Sequence, residues 1–141
     1  MISVDEKFDR GRDDPSFQLK HTDCLIEMLE ASKAGTSKFD IIDLDPFGSS
    51  LPYLQSAFKG IKHQGIIGAT FTDLKVIEGF DHHRLFSLYG ARRGDKIKNK
   101  EDFSLRLVLA SINNEANKVN KTIRPLISIW KHFYLRVSLS D

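Results

Sequence analysis

The order of apolar and polar residues along the chain predicts strands and helices in alternation. Short apolar runs between turn residues are typical of buried strands, and apolar residues three or four positions apart mark one face of a helix. The predicted elements are, in chain order, a strand at 17–21, a helix beginning near Leu25 and ended by Gly35, a strand at 39–45, a helix at 51–61, a strand at 65–72, a helix at 103–112, and strands at 123–130 and 132–139. This alternation predicts a mainly parallel α/β sheet, with the last two strands as an antiparallel pair at its edge.

Polar residues at the ends of these elements predict how the helices begin. Ser50 is predicted to cap the helix at 51–61, and Asp102 the helix at 103–112. The stretch from Asp73 to Glu101 has the least regular pattern and is predicted to be a helix-rich segment, in which residues 91–100 carry five basic side chains against one acid. We expect an exposed loop there, whose charges are either simply solvated or in contact with nucleic-acid phosphates.

The length of the chain allows about one domain. It has 141 residues, and domains most often run to about 100–150 residues. Apolar residues make up 40% of the composition, which excludes a wholly disordered chain. The first 16 residues hold eight charged side chains and show no apolar periodicity. We therefore expect a charged flexible arm at 1–16 and a single domain at 17–141.

Charge, cysteine content and hydropathy narrow the class of protein only slightly. A net charge of +2 neither requires nor excludes a nucleic-acid partner. The single cysteine, Cys24, excludes an internal disulfide and a cysteine metal cluster. No apolar run approaches the roughly 18 residues of a membrane span, and the N-terminus lacks a signal pattern. We expect no membrane partner and an intracellular location, cytoplasmic or nuclear.

The most specific candidate site directly follows the predicted strand at 39–45, where ligands of α/β sheets bind. An exocyclic amine on a purine is a poor nucleophile because its lone pair is conjugated with the ring. The Asp45 carboxylate and the Pro46 carbonyl can each accept one amine hydrogen, and Asp45 can take the released proton. Phe47 offers a face on which a base can stack, and Gly48 allows close approach of the backbone. The alternative is a turn without chemistry, since Asp-Pro commonly begins turns.

The string Asp43-Leu-Asp45-Pro46-Phe47-Gly48-Ser49 resembles the signature of class I S-adenosylmethionine-dependent amino-methyltransferases. More narrowly, it is similar to the tRNA (guanine-26 N2)-dimethyltransferase family, which has Asp-x-Asp-Pro-Phe-Gly-Ser at this point. Further similar strings follow in the family's order: Thr70-Phe-Thr-Asp-Leu74 with Gly79, Tyr89-Gly90, Asp102-Phe-Ser-Leu-Arg106-Leu and Tyr134-Leu-Arg136-Val137. The resemblance extends over about residues 23–139.

The resemblance implies a Rossmann-like class I methyltransferase sheet and dimethylation of the N2 amine of guanine 26 in tRNA, with S-adenosylmethionine as methyl donor. The residue roles it implies are catalysis by Asp45, Pro46 and Phe47, contact with the base by Phe47, Gly48, Thr72 and Asp73, and contact with the donor's adenine by Asp23 and Cys24, without a metal. Three of these assignments have structural alternatives. Asp23 is equally well interpreted as a helix N-cap, Thr72 and Asp73 as a polar strand end, and Arg106 in the helix string as a surface arginine.

Two parts of the family's pattern are missing from the sequence. No glycine-rich turn precedes Asp23, so the N-terminal strands that would bind the methionine part of the donor are predicted to be missing. The family's carboxyl-terminal domain does not follow Asp141. We expect a fragment with weak or no activity alone, completed by a missing N-terminal half or a partner chain. The alternatives are a non-catalytic RNA-binding or interaction module of the same fold, and an adenine amino-methyltransferase.

Other candidate residues favour structural interpretations. Adjacent histidines point in different directions, so Asp81-His82-His83 is interpreted as a solvated loop rather than as a metal site. Cys24 has no neighbouring motif of a nucleophile and is predicted to pack against the core. The aromatic residues near the end of the chain are predicted to be core or strand-edge residues: Trp130, Phe133 and Tyr134.

Overall fold

The computed structural model of the chain describes residues 20–33, 39–94 and 97–140. The predicted arm at 1–16, most of the predicted strand at 17–21 and the helix end at Gly35 lie outside these ranges. The elements are α1 (Cys24–Lys33), β1 (Phe39–Leu44), α2 (Leu51–Gly60), β2 (Ile61–Phe71), α3 (Leu74–Ile77), α4 (His82–Tyr89), α5 (Lys100–Asn117), β3 (Arg124–Lys131) and β4 (Tyr134–Ser140). No helix in the described ranges is long and apolar enough to cross a membrane.

The described strands form one mixed sheet in the order β1-β2-β4-β3. β1 and β2 run parallel, with Ile42 opposite Ile67. β4 is antiparallel to β2 on one side and to β3 on the other. The mixed α/β sheet confirms the predicted fold class, and β3 with β4 confirms the antiparallel pair at one edge. β1 forms the opposite edge of the described sheet.

The helices cover one face of this sheet. Side chains alternate between the two faces of a strand, so every second residue of each strand contributes to the covered face. The residues of that face are buried in the core together with α2 and α5 side chains: Ile42, Leu44, Ile67, Ala69, Phe71, Leu135, Val137 and Leu139 with Leu54, Phe58, Val108 and Ile112. Burial of each large apolar side chain contributes roughly 1.5–3 kcal/mol to folding.

The other face of the sheet carries exposed isoleucines. The strand register places Ile41, Ile66, Ile127 and Ile129 on this side. They are 66%, 38%, 60% and 42% exposed, respectively. Sheets with parallel strands are normally covered on both faces. The described residues therefore leave one apolar face of the sheet open, which we call the open face.

On the open face, an ion pair joins β1 and β4 across β2, the strand that lies between them. Arg136 on β4 donates from Nη2 to Asp43 Oδ1 on β1 at 2.9 Å, and from Nη1 to Thr70 Oγ1 on β2 at 2.9 Å. A Cβ at Gly68 of β2 would lie 2.9 Å from both Arg136 Nη2 and Asp43 Oδ1. Glycine at this position therefore lets β4 bind β1 across β2, two residues before Asp45.

The helix caps differ from the predictions. Ser50 occupies the N-cap position of α2 but makes no capping bond, because its Oγ donates to the Thr70 carbonyl at 2.6 Å. The neighbouring Ser49 accepts from the Leu51 amide instead, at 3.2 Å. Two adjacent serine hydroxyl groups are available to cap α2. Because the Ser50 hydroxyl binds the Thr70 carbonyl, Ser49 provides the cap.

The cap of α5 also differs from the prediction. Asn99 caps this helix by accepting from the Asp102 amide at 3.1 Å. Asp102 itself pairs with Arg106 one turn later, at 2.9 Å. The helix therefore begins three residues earlier than predicted, and the interpretation of Arg106 as a surface arginine is confirmed.

The stretch from Asp73 to Glu101 contains α3 and α4, which agrees with the prediction of a helix-rich segment. Asp81 caps α4 by accepting from the Arg84 amide at 3.0 Å. His82 and His83 thus begin a helix, and the prediction of a loop is wrong there, although both side chains are exposed. Lys20 and His21, the described end of the predicted first strand, lie outside any strand.

Candidate functional site

The loop after β1 is anchored to the end of β2. The Gly48 amide donates to Thr72 Oγ1 at 2.7 Å, and the Thr72 amide donates to the Gly48 carbonyl at 2.8 Å. Gly48 has φ of 91°, a left-handed conformation that favours glycine. Asp45 is exposed, and the Phe47 side chain is 99% exposed. The structure therefore brings Thr72 to the Asp45–Gly48 loop and presents two of the predicted catalytic residues to solvent.

Tyr89, the last residue of α4, joins the two loops behind this surface. Its hydroxyl donates to Asp73 Oδ2 at 2.8 Å and lies 3.0 Å from Ser49 Oγ. Because the phenol has one proton and gives it to Asp73, Ser49 donates to the tyrosine oxygen. Tyr89 is buried. Its role was not evident from the sequence, where Tyr89 only formed part of a Tyr-Gly string.

The electrostatics of Asp73 depend on this contact. Burial raises the pKa of Asp73 above its ordinary value, against a lowering by the Tyr89 hydrogen bond. The second carboxylate oxygen, Oδ1, is buried without a hydrogen-bond partner among the described residues. Burial and the neighbouring Asp73 charge also raise the pKa of Tyr89, so the phenol remains a donor at neutral pH. The predicted contact of Asp73 with a base stays a prediction.

The start of α1 lies beside β1. Asp23 Oδ1 accepts from the Leu25 amide at 2.8 Å, which confirms its interpretation as a helix cap. Cys24 is half-buried and packs against the core, as predicted. It shares a groove with Asp43 and Leu44 of β1. A role of Asp23 and Cys24 in holding a methyl donor stays a prediction.

The basic segment near residues 91–100 is partly held by other side chains. The Arg92 guanidinium lies 5.2 Å from the centre of the Phe86 ring, and Lys100 Nζ lies 5.0 Å from that of Phe80. Arg93 donates from Nη1 to the Glu78 carbonyl at 2.6 Å. Arg92 and Lys100 therefore remain exposed cations at defined positions, whereas Arg93 supports the turn after α3.

We expect Tyr89→Phe to destabilise the chain by about 1.5–3 kcal/mol at neutral pH, because a half-buried carboxylate loses its donor. A folded-state pKa above 3.8 means that the stability contributed by Asp73 is present at low pH and is lost as the pH rises through that pKa. Tyr89→Phe raises this pKa further, so the difference from wild type grows with pH. Urea unfolding between pH 4 and pH 8 measures it.

Tyr53→Phe is the matched control for this prediction, because Tyr53 also packs against the core. Its hydroxyl does not contact Asp73 in the structure, so the effect of Tyr53→Phe should not change across the same pH range. A pH-independent effect of Tyr89→Phe would contradict the proposed coupling to Asp73.

Comparison with known proteins agrees with the fold and the loop. The structure of Trm1 from Pyrococcus horikoshii with S-adenosyl-L-methionine superposes with a TM-score of 0.77 at 27% identity, covering 86% of this chain and 32% of that chain. The mixed sheet with its Asp-Pro-Phe-Gly loop is thus that of a methyltransferase fold. A family model described as N2,N2-dimethylguanosine tRNA methyltransferase matches residues 12–140. The chain belongs to this family.

Two relatives show how much of a longer protein the chain corresponds to. It is 36% identical over 111 residues to the mitochondrial tRNA (guanine(26)-N(2))-dimethyltransferase of Saccharomyces cerevisiae, covering 78% of this chain and 20% of the yeast protein. It is 37% identical over 120 residues to the tRNA (guanine(26)-N(2))-dimethyltransferase of Mus musculus, covering 85% and 18%. The chain therefore spans about a fifth of the length of these relatives.

Proposed function

We propose that this chain is the base-binding part of a tRNA (guanine-26 N2)-dimethyltransferase. The observation that supports this most is the loop Asp45–Gly48, which lies at the carboxyl end of β1, is tied to Thr72 and presents Asp45 and Phe47 to solvent. The names of the relatives supply the substrate class, a guanine in tRNA. We propose that the protein acts in a compartment that contains this tRNA. The cytoplasm and the nucleus are two such compartments, and the name of the yeast relative adds the mitochondrion as a third.

In the proposed reaction the target guanine leaves its stack and its face lies on the Phe47 ring. Its N2 amine donates one hydrogen to the Asp45 carboxylate and one to the Pro46 carbonyl, which frees the nitrogen lone pair. S-adenosylmethionine supplies the electrophilic methyl group. The N2–carbon bond forms as the carbon–sulfur bond breaks, its electron pair passes to sulfur, and the N2 proton passes to Asp45. Before the second transfer Asp45 releases its proton to solvent. The N2-methylamine then donates its one remaining hydrogen to Asp45, bonds to the methyl group of a second S-adenosylmethionine and gives up that hydrogen to Asp45 as a proton.

The described residues fit only part of the donor. Cys24 lies in the same groove as Asp43 and Leu44 at the end of β1, which fits the adenine end of S-adenosylmethionine. A glycine-rich turn for the methionine end is not found in the sequence. We therefore propose that a missing N-terminal half, or a partner chain, completes the donor site.

Calorimetric titration tests the incomplete donor site. The 141-residue chain is expected to bind S-adenosylmethionine with a dissociation constant well above about 1 μM, since the proposed contacts to the methionine end of the donor are missing. The reference is a hybrid protein in which this chain replaces the matching 32% of the Pyrococcus horikoshii protein. The hybrid should bind the donor more tightly by a factor of at least about 10. Micromolar binding by the chain alone would refute the incomplete site.

The product of the hybrid tests the reaction itself. Incubation with unmodified tRNA and the donor should give N2,N2-dimethylguanosine at position 26, identified by nucleoside mass spectrometry. Methyladenosine as the product would instead support an adenine amino-methyltransferase. The incomplete donor site favours a second candidate, a non-catalytic RNA-binding module, and tRNA binding by the hybrid without methyl transfer would support it.

A further inference from the structure

A pocket of about 270 Å³ lies where α4 begins, and it is open to solvent. The chain reaches it twice, once in the turn between α3 and α4 and again in the segment that follows α4. Its lining residues are Gly79, Phe80, His82, Arg93 and Gly94. The Asp45–Gly48 loop contributes no residue to it, so the pocket is separate from the candidate base-binding site.

Arg93 places a fixed positive charge in this pocket. Its Nη1 donates to the Glu78 carbonyl at 2.6 Å, and its side chain passes over Gly79, where a Cβ would lie 2.7 Å from Arg93 Cδ. Gly79 has φ of 82°, a left-handed conformation that favours glycine. Glycine at this position therefore makes the turn and also leaves room for the arginine, so the guanidinium is held in one place.

The protein does not neutralise the charge of Arg93. In the described part of the chain no carboxylate forms an ion pair with it. Asp81, the acid closest to the pocket in sequence, caps α4 instead. Arg93 is only partly exposed, and its Nε is buried without a hydrogen-bond partner among the described residues. Because a partly buried cation is costly without an anion, and a guanidinium matches the oxygens of phosphate, these contacts favour a phosphate as the anion.

An exposed aromatic ring lies in the same pocket. Phe80 is 62% exposed, and Lys100 Nζ lies 5.0 Å from the centre of its ring. Aromatic rings beside cations are typical of surfaces that bind single-stranded RNA, where the ring stacks on a base and a cation pairs with a phosphate. His82 is exposed, and its imidazole can donate a further hydrogen bond to a phosphate oxygen. The pocket therefore offers a partner for the base and a partner for the phosphate of one nucleotide.

Helix α4 connects this pocket with the candidate base-binding site. The helix begins at His82, in the pocket, and ends at Tyr89. The Tyr89 hydroxyl contacts Ser49 and Asp73 behind the Asp45–Gly48 loop. Eight helical residues span about 12 Å, which corresponds to roughly three or four nucleotides along one strand. A nucleotide in the pocket can therefore belong to the same strand as a guanine at the loop.

We propose that this pocket, which we call the Arg93 pocket, binds a nucleotide of the tRNA other than the target guanine, with Phe80 stacked on its base and Arg93 paired with its phosphate. The inference rests on the proposed function, which supplies tRNA as the partner. The contact has a purpose in the reaction, because a base that leaves its stack costs free energy of unstacking. A second contact on the same strand stabilises the opened conformation of the RNA.

Titration of the 141-residue chain with fluorescently labelled, unmodified tRNA at about 50–200 mM salt tests the pocket. Arg93→Gln removes one phosphate contact, so the slope of log K against log salt should fall in magnitude by about 0.7–0.9. Phe80→Ala should weaken binding by about 5- to 100-fold without changing the slope, since stacking releases no counterions. Phe80 is largely exposed, so this change leaves the fold intact, which thermal unfolding verifies.

A second pair of an exposed phenylalanine and a cation provides the matched control. The Arg92 guanidinium lies 5.2 Å from the centre of the Phe86 ring, which is 55% exposed, and neither residue lines the pocket. Arg92→Gln and Phe86→Ala should therefore change neither the affinity for tRNA nor the salt slope. Equal effects of the two pairs would overturn the proposal, because they would indicate binding by general positive charge and exposed rings.

The remaining outcomes are also decisive. If Arg93→Gln does not fold, Lys100→Gln replaces it, because Lys100 is exposed and lies beside Phe80, and an unchanged slope then overturns the proposal. If Arg93→Gln weakens binding and Phe80→Ala does not, the pocket binds a phosphate alone and the stacked nucleotide is excluded. If the chain alone binds tRNA too weakly to measure, the same variants are compared in the hybrid.

The hybrid also separates this proposal from the proposed function. Binding of tRNA that depends on Arg93 and Phe80, by a hybrid that transfers no methyl group, would support the pocket and refute the proposed reaction. Dimethylation of guanine 26 with kcat/KM unchanged by Arg93→Gln and Phe80→Ala would overturn the pocket and leave the proposed reaction in place.

Discussion

Asp45→Asn is expected to lower the rate of methyl transfer by the hybrid by about 10²–10⁴-fold, the usual contribution of a general base. Asparagine keeps one oxygen near the amine but cannot take the proton that N2 releases. Asp45 is exposed and its substitution should change the free energy of unfolding by less than about 0.5 kcal/mol. Initial rates with unmodified tRNA and thermal unfolding of the same samples measure both effects.

Asp40→Asn is the matched control for this result. Asp40 is on the same strand, is exposed and pairs with Lys62 at 2.8 Å, away from the loop. Its substitution removes a surface ion pair worth about 0–1 kcal/mol and should leave methyl transfer unchanged. Asp45→Asn with the activity of wild type would exclude Asp45 as the proton acceptor.

Phe47→Ala is expected to lower kcat/KM for tRNA by a factor of about 10–100, since stacking of one base on an aromatic ring is worth about 1–3 kcal/mol. The ring is 99% exposed, so the protein loses almost no packing when it is removed. The combination of a large kinetic effect and an unchanged unfolding temperature is the expected signature of a side chain that contacts substrate.

Phe133→Ala provides the comparison for Phe47→Ala. Phe133 is 71% exposed in the turn between β3 and β4, where its ring packs edge-to-face on Tyr134 with a centroid distance of 5.4 Å. It should affect stability slightly and kcat/KM not at all. Equal kinetic effects of the two substitutions would mean that Phe47 does not stack on the base.

The elements of the fold could be predicted because each rests on a local pattern. The run from Phe39 to Leu44 is apolar and bounded by turn residues, and β1 has those bounds within one residue. The bounds of α4 were not predicted, because the exposed apolar residues Phe86 and Leu88 obscure the face formed by the buried Leu85 and Tyr89. Its start depends on the Asp81 cap, which in the sequence competes with a loop.

The chemistry of the candidate site could be predicted from its own residues only in the contiguous part, whereas Thr72 and Asp73 were predicted from the family resemblance. Asp45 to Gly48 are adjacent in sequence, so their chemistry is evident from the string itself. The contact between Ser49 and Tyr89 spans 40 positions, and the pair of Asp43 with Arg136 spans 93. Such contacts depend on strand order, which a pattern of apolar residues does not define.

The position of β4 between β2 and β3 determines the order in which the site can form during synthesis. β2 is complete at Phe71 and can pair with the earlier strand β1, but its second partner, β4, is not made until Leu135 and Arg136 leave the ribosome. At about 5–20 residues per second, the edge of β2 stays unpaired for several seconds on the nascent chain. β1, the strand that precedes the Asp45 loop, therefore gains its ion pair with Arg136 last. Until then, the unpaired edge of β2 on the ribosome-bound chain can associate with strands of other chains.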